Sequence, residues 1–182
     1  MKSLTDQLTN YATYHRDRRN IATHFVGIPM IVLGVLTLLG RPSVNLAGVA
    51  VSPALVALVG GIGFYLALDV RIGLLMAAIM TAAFWCGMHF AAMTTGAWLA
   101  IGGGLFVVGW AIQFVGHIFE GKKPAFVDDL VGLLVGPLFV VTEVVFAMGM
   151  RSEVREEIER RAGPVRGTPT RALAPRSPDV AR

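Results

Sequence analysis

Between Phe25 and Met150 the chain is a series of long, almost uncharged apolar runs, separated by short breaks that carry charge, glycine or proline. About 20 such residues cross the ~30 Å hydrocarbon core of a bilayer as an α-helix, which satisfies every backbone N–H and C=O within the segment. A water-soluble core does not fit this pattern. Of the 182 residues, 54% are hydrophobic, and the mean hydropathy is +0.63; an average soluble domain is about 45–50% apolar. The expected fold is an all-α integral membrane protein. One membrane-embedded domain is expected over 1–150, followed by a basic, disordered tail over 151–182.

The breaks set the expected elements. Leu4, Leu8, Tyr11 and His15 recur at helical spacing and predict a short helix lying in the membrane interface. Asn20 is expected to N-cap the first span, over 21–39, in which Gly27 and Pro29 predict a bend. Further spans are expected over 46–68, 72–93 and 97–119. The stretch 125–150 is apolar but holds Asp128, Asp129, Glu143 and Gly136-Pro137. It reads either as a fifth span or as a broken, re-entrant pair of half-helices, and charge decides between them. Lys and Arg concentrate on the cytoplasmic side of spans. Four spans put Arg16, Arg18, Arg19, Arg71, Lys122, Lys123 and the eight arginines from Arg151 onward on one side, with Arg41 opposite. A full fifth span would put the tail on the wrong side. The expected architecture is therefore four spans, an interfacial helix and a re-entrant or broken last segment, with both termini cytoplasmic.

Several function classes drop out. The net charge of +4 comes from these clusters, with no aromatic residues interleaved in the tail, so it signals topology and anionic headgroups; no nucleic-acid partner is expected. The single cysteine, Cys86, lies in an apolar run and forms no internal disulfide. Met1 to Asn20 is polar and is not read as a secretory signal.

Ionisable groups at membrane depth are costly and tend to be functional. The four histidines are His15, His24, His89 and His117. The topology puts His15, His24 and His117 at the cytoplasmic side and His89 near the opposite end of span three. His15 and His24 are nine residues apart, about 900° around one straight helix, so they converge only if the chain turns between them. His117 and Glu120 share a helix face, with Gln113 one turn earlier. Imidazole with carboxylate and open positions suits non-heme Fe(II) oxygen chemistry, and zinc also fits. Four histidines are too few for a membrane di-iron hydroxylase.

Two stretches carry more. One is YATYHRDRRNIATHFVGIPMIV, with Tyr14-His15, Asn20, His24, Gly27 and Pro29; the other is GWAIQFVGHIFEGKKPAFVDDLVGLLVGPLFVVTEVVF, from Gly109 to Phe146. Together they resemble a small multispan family once catalogued as a domain of unknown function. Its best-understood member is the fungal 2-hydroxy fatty acid dioxygenase of phytosphingosine breakdown. The resemblance implies an Fe(II)-dependent α-oxidation, in which a 2-hydroxy fatty acid and O₂ give the acid one carbon shorter without 2-oxoglutarate. It implies His15, His24 and His117 as iron ligands, with Glu120 as a fourth ligand or a base behind them. Asn20 and Gln113 would orient imidazoles, Lys122 or Lys123 would attract the substrate carboxylate, and Asp128 or Asp129 would cap the last segment or hold a histidine. Two alternatives stay open: a zinc-dependent membrane lipid hydrolase, and a non-catalytic scaffold or transporter-like protein, alone or as an oligomer. The Ala-, Arg- and Gly-rich composition points to a bacterial inner membrane.

Overall fold

The computed structural model describes residues 2–128 and 130–167. The described chain is helical except for one small hairpin. In order it forms α1 (Leu4–Ala12), α2 (Arg18–Gly40), the strands β1 (Val44–Leu46) and β2 (Val49–Val51), and α3 (Pro53–Leu68). There follow α4 (Val70–Ala91), α5 (Thr95–Glu120), a 3₁₀ turn (Ala125–Val127), α6 (Gly132–Ala147) and α7 (Ser152–Ala162). Three helices, α2, α4 and α5, are long and apolar enough to cross a membrane; there are four such spans if the bent pair α6–α7 counts as one. Their outward faces carry exposed Val26, Leu74, Trp85, Val107 and Ile118. A patch of that kind is a liability in water and ordinary against lipid tails.

The helix starts follow local chemistry. Ser3 caps α1 through a reciprocal box with Asp6, Ser52 caps α3 by accepting from Leu55 N–H, and Asp69 caps α4 by accepting from Ile72 N–H. The cap of α2 is Asp17, which accepts from Arg19 N–H, so the expected cap Asn20 stands inside the helix. That frees its side chain for the site. Pro29 lies within α2, and its missing N–H does not divide the helix.

Three further expectations are corrected. The span expected over 46–68 is a shorter apolar helix, α3, of 16 residues that begins only at Pro53, because 44–51 turn back as an antiparallel hairpin with Val44 opposite Val51. The turn needs positive φ at Ala47 (51°) and Gly48 (87°), a geometry uncommon for alanine. The break in the last segment is not at Gly136-Pro137, since Pro137 lies inside α6. It falls between α6 and α7, which meet at 118°, where Gly149 and Arg151 take left-handed φ of 77° and 57°. Arg151 then pairs with Asp69 at 2.8 Å, fixing this corner to the α3–α4 turn. Finally, ordered structure passes residue 150. Ile158 of α7 is 5% exposed in the core with Leu4 and Leu8, and Arg161 pairs with Asp6 at 3.0 Å. Of the tail expected to be disordered, 168–182 lie outside the described residues, as does Asp129.

The α2–α5 contact positions the site. The helices run antiparallel, and glycines seven apart line the seam: Gly27 and Gly34 on α2, and Gly102, Gly109 and Gly116 on α5. A Cβ on Gly34 would lie 2.8 Å from Phe106 N and 2.9 Å from Gly102 O. One on Gly27 would lie 2.9 Å from Gly109 O. Lipid tails are as apolar as leucine, so helix association in a membrane relies on such close packing. A seven-residue repeat also keeps one stripe facing the partner along the whole contact. At the far end, Trp98 Nε1–H donates to Thr37 O (2.8 Å) and Arg41 donates to Thr95 Oγ1 (3.0 Å). Gly34→Ala is therefore expected to destabilise the protein by about 1–3 kcal/mol through overpacking against backbone. Gly103→Ala, whose Cβ meets nothing within 4 Å, is expected to be neutral or stabilising. Thermal midpoints of the two variants in detergent check this.

Candidate metal centre

The seam sets the start of α2 against the end of α5. His24 lies in the second turn of α2 and His117 in the last turn of α5. His15 precedes α2, where the chain turns after α1 through Tyr14 N–H to Tyr11 O and His15 N–H to Ala12 O. That is the turn the nine-residue spacing requires. The three rings converge, with centroids 4.4 Å apart for His15–His24, 5.0 Å for His15–His117 and 5.3 Å for His24–His117. One nitrogen from each lies within 4.8 Å of the others, and all three residues are buried. His89 lies apart. It is exposed, near the end of α4 that packs on Gly40, about 24 Å of helix from His24.

The hydrogen bonds fix which nitrogens face inward. His15 Nδ1–H donates to Tyr11 O (2.7 Å) and His24 Nδ1–H donates to Asn20 O (2.8 Å). A carbonyl only accepts, so both rings hold their proton on Nδ1 and present an Nε2 lone pair. His15 Nε2 and His117 Nδ1 are buried without a protein partner. Burial, with His24 and His117 close by, holds the His15 imidazole well below its usual pKa, and so in the neutral form that ligates metals. Tyr11 stacks on His15 at 4.1 Å with an interplanar angle of 7°. Three converging buried imidazoles, two of them with an orphaned nitrogen, fit a borderline divalent cation such as Fe(II) or Zn(II).

Glu120 stands apart from the three imidazoles. It is 5% exposed and does not join the three-histidine group. Its Oε2 accepts from Arg16 N–H (3.0 Å), Asp17 N–H (2.7 Å) and Asn20 Nδ2 (3.1 Å), and its Oε1 accepts from Arg166 Nη2 (2.5 Å). With both oxygens engaged, the carboxylate anchors the α1–α2 turn to the end of α5 and so holds His15 against His117. Gly121, in the left-handed conformation, ends α5 immediately after it. Asn20 acts twice, through its carbonyl on His24 and its amide on Glu120.

The remaining predicted residues divide. Gln113 is buried and lines a cavity beside His24 and His117. Lys122 Nζ donates to Thr13 O (2.7 Å), and Lys123 pairs with Asp128 (2.6 Å), which also accepts from Tyr14 OH (2.8 Å). Neither lysine lines the cavity. Both fasten the loop after α5 to the turn before α2, Lys123 through Asp128 and Tyr14. Asp128 holds Tyr14 rather than a histidine, and the N-cap of α6 is Val131, with no side-chain bond. Glu143, whose partner the sequence left open, lies in the field of Arg16 and Arg155.

Other site residues escaped the sequence reading. Tyr11 is one; its spacing of four from His15 was the available signal. Arg16 and Arg166 are others. Arg16 is 6% exposed, donating from Nε to His15 O (2.9 Å) and from Nη1 to Gly163 O (2.9 Å). Arg166 N–H donates to Arg16 O (2.7 Å), so 163–167 return to the site from a stretch that reads as tail.

The cavity is partly open to the outside. Its polar end holds Tyr11, His24, Gln113 and His117, and its wall continues along α2 through Ile28, Ile31 and Val32 and along α5 to Trp110. From His24 to Val32 is about 12 Å of helix, directed toward the middle of α2. Phe126 closes against Trp110 at 4.9 Å. The cavity therefore suits an amphiphile, with its head at the imidazoles and its chain along the apolar wall.

No solved structure matches the chain. A curated relative, the 2-hydroxy-palmitic acid dioxygenase MPO1 of Saccharomyces cerevisiae, is 30% identical over 161 residues, which cover 86% of this chain and 87% of the yeast protein. The family model for 2-hydroxy-palmitic acid dioxygenase Mpo1-like proteins matches residues 1–148, from α1 through α6 and so across all three converging histidines. With the match running through the whole membrane-embedded part, the chain belongs to the 2-hydroxy-palmitic acid dioxygenase Mpo1-like family.

Proposed function

We propose that this protein is a membrane dioxygenase that shortens 2-hydroxy fatty acids by one carbon at an Fe(II) held by His15, His24 and His117. The observation that carries this reading is the pairing of three buried imidazoles with a cavity that turns apolar away from them. When bound, Fe(II) supplies the O₂ chemistry that no amino-acid side chain performs. The protein supplies position. The carbonyls of Tyr11 and Asn20 hold two rings in the ligating tautomer, and Glu120 sets the turn that delivers His15. Ile28, Ile31 and Val32 receive the acyl chain and keep water from the reacting end. The 2-hydroxy acid itself provides the electrons, so no second organic cofactor is required.

The bilayer is the source of the substrate in this reading. The site lies at the end of the spans that bears Arg16, Arg18 and Arg19, and the preference of such charges for the cytoplasmic side supports reading it as the cytoplasmic interface of a bacterial inner membrane. His15, His24 and His117 would also serve zinc, and metal identity separates the oxygenase from a lipid hydrolase. The test is anaerobic loading with Fe(II), then addition of O₂ and 2-hydroxypalmitate with mass-spectrometric detection of products. The expected product is the fifteen-carbon acid, with O₂ consumed. Stoichiometric zinc in purified protein, or iron-replete protein that yields no shortened acid, would overturn the proposal. In the same assay His89→Ala is expected to retain activity within about twofold, because an exposed surface residue away from any site shifts energies by only ~0.5 kcal/mol.

A further inference from the structure

The proposed reaction leaves one buried polar side chain in the cavity without a task. Gln113 lies one turn before His117 on α5 and is 4% exposed. Neither its Oε1 nor its Nε2 has a hydrogen-bond partner among the described residues, so both remain unpaired whichever way the amide is turned. Burying an amide unpaired is costly, and native proteins seldom do so. Gly27 leaves the amide its space, since a Cβ there would lie 3.1 Å from both Cγ and Nε2 of Gln113. The amide stands where the imidazole end of the cavity gives way to its apolar wall, between His117 and Trp110 along α5.

We infer that Gln113 reads the head of the substrate, Nε2 donating to a carboxylate oxygen and Oε1 accepting the proton of the 2-hydroxyl. This inference rests on the reaction proposed above. A primary amide offers a donor and an acceptor side by side, and a 2-hydroxy acid offers an acceptor and a donor on adjacent carbons. A fatty acid without the hydroxyl leaves Oε1 unpaired, and a site built around a hydroxyl discriminates against the analogue that lacks it.

The test is equilibrium binding of 2-hydroxypalmitate and of palmitate to iron-loaded protein in detergent without O₂, with metal content measured on the same samples. The wild type is compared with the near-isosteres Gln113→Met and Gln113→Glu. Gln113→Met is expected to keep its iron and its palmitate affinity, while its preference for the 2-hydroxy acid falls on the order of 10-fold. Gln113→Glu is expected to keep iron and to bind both acids more weakly, because its carboxylate repels theirs. A Met variant with the preference unchanged within about twofold would overturn the inference, and so would a Glu variant that binds both acids as the wild type does. If the Met variant loses iron and palmitate together, the Glu variant decides. Chain shortening by the wild type is followed in parallel. If the wild type fails to shorten 2-hydroxypalmitate, the reaction itself is wrong; if it does so while the variants keep the preference, only the role of Gln113 is wrong.

Discussion

His24→Ala is expected to abolish metal binding and chain shortening together, the largest effect of any single substitution in this protein. His24 is 2% exposed, and its ring lies 4.4 and 5.3 Å from those of His15 and His117. The group has three histidines and no carboxylate among its members, so the loss of one imidazole leaves two protein ligands. Removing a partner that merely orients a ligand costs about 10–100-fold in metal affinity. Loss of a ligand itself is expected to cost on the order of 10³-fold or more, which empties the site at micromolar metal. The fold is expected to survive, because the α2–α5 seam rests on glycine contacts away from this ring. Metal content by elemental analysis, read beside circular dichroism in detergent, checks both halves. A folded His24→Ala protein that holds stoichiometric iron would remove His24 from the ligand set.

Glu120→Ala is expected to give the second-largest effect, of a different kind. The carboxylate accepts two backbone N–H groups, the Asn20 amide and the Arg166 guanidinium in a buried position. Truncating it leaves those donors unmatched. The Arg166 side chain is half-exposed and can turn to water, but each buried donor left unpaired costs about 1–3 kcal/mol, and several are left here, so a drop on the order of 10 °C in thermal midpoint is expected for a chain of this size. The His15 turn then loses its anchor, and metal affinity is expected to fall about 10–100-fold, as for other groups that orient a ligand. Saturating iron should restore full occupancy in Glu120→Ala, whereas His24→Ala should stay empty. If Glu120→Ala also stayed empty under saturating metal while folded, the carboxylate would have to be counted as a ligand. A titration with Fe(II) under argon, with a thermal melt on each sample, separates these outcomes.

The two substitutions also mark what could be read in the sequence. The helices α2, α4 and α5 were legible to within a few residues, since their length follows from uncharged runs bounded by short charged or glycine-bearing breaks, though the cap of α2 proved to be Asp17 and not Asn20. The separation of His89 was legible from the charge asymmetry alone. The β-hairpin over 44–51 was not, because its residues are as apolar as a helix start and its turn uses an alanine at positive φ. The break before α7 was sought at Gly136-Pro137, where proline removes one N–H. A single lost bond is tolerated inside a packed helix, and two left-handed residues at 149–151 made the actual corner.

Within the site, the histidine count and the charge asymmetry were enough to sort the four histidines into three that converge and one that stands apart. The nine-residue spacing also required a turn between His15 and His24. The remaining contacts emerge only from how the helices pack, because most of them join residues about a hundred positions apart. Glu120 reaches back to Arg16, Asp17 and Asn20, and Arg166 returns to Glu120 from beyond α7. No local pattern encodes such pairings. They depend on a glycine seam that lets α2 and α5 approach to backbone contact, bringing His24 to His117 and leaving Glu120 behind the three imidazoles as the anchor of the His15 turn.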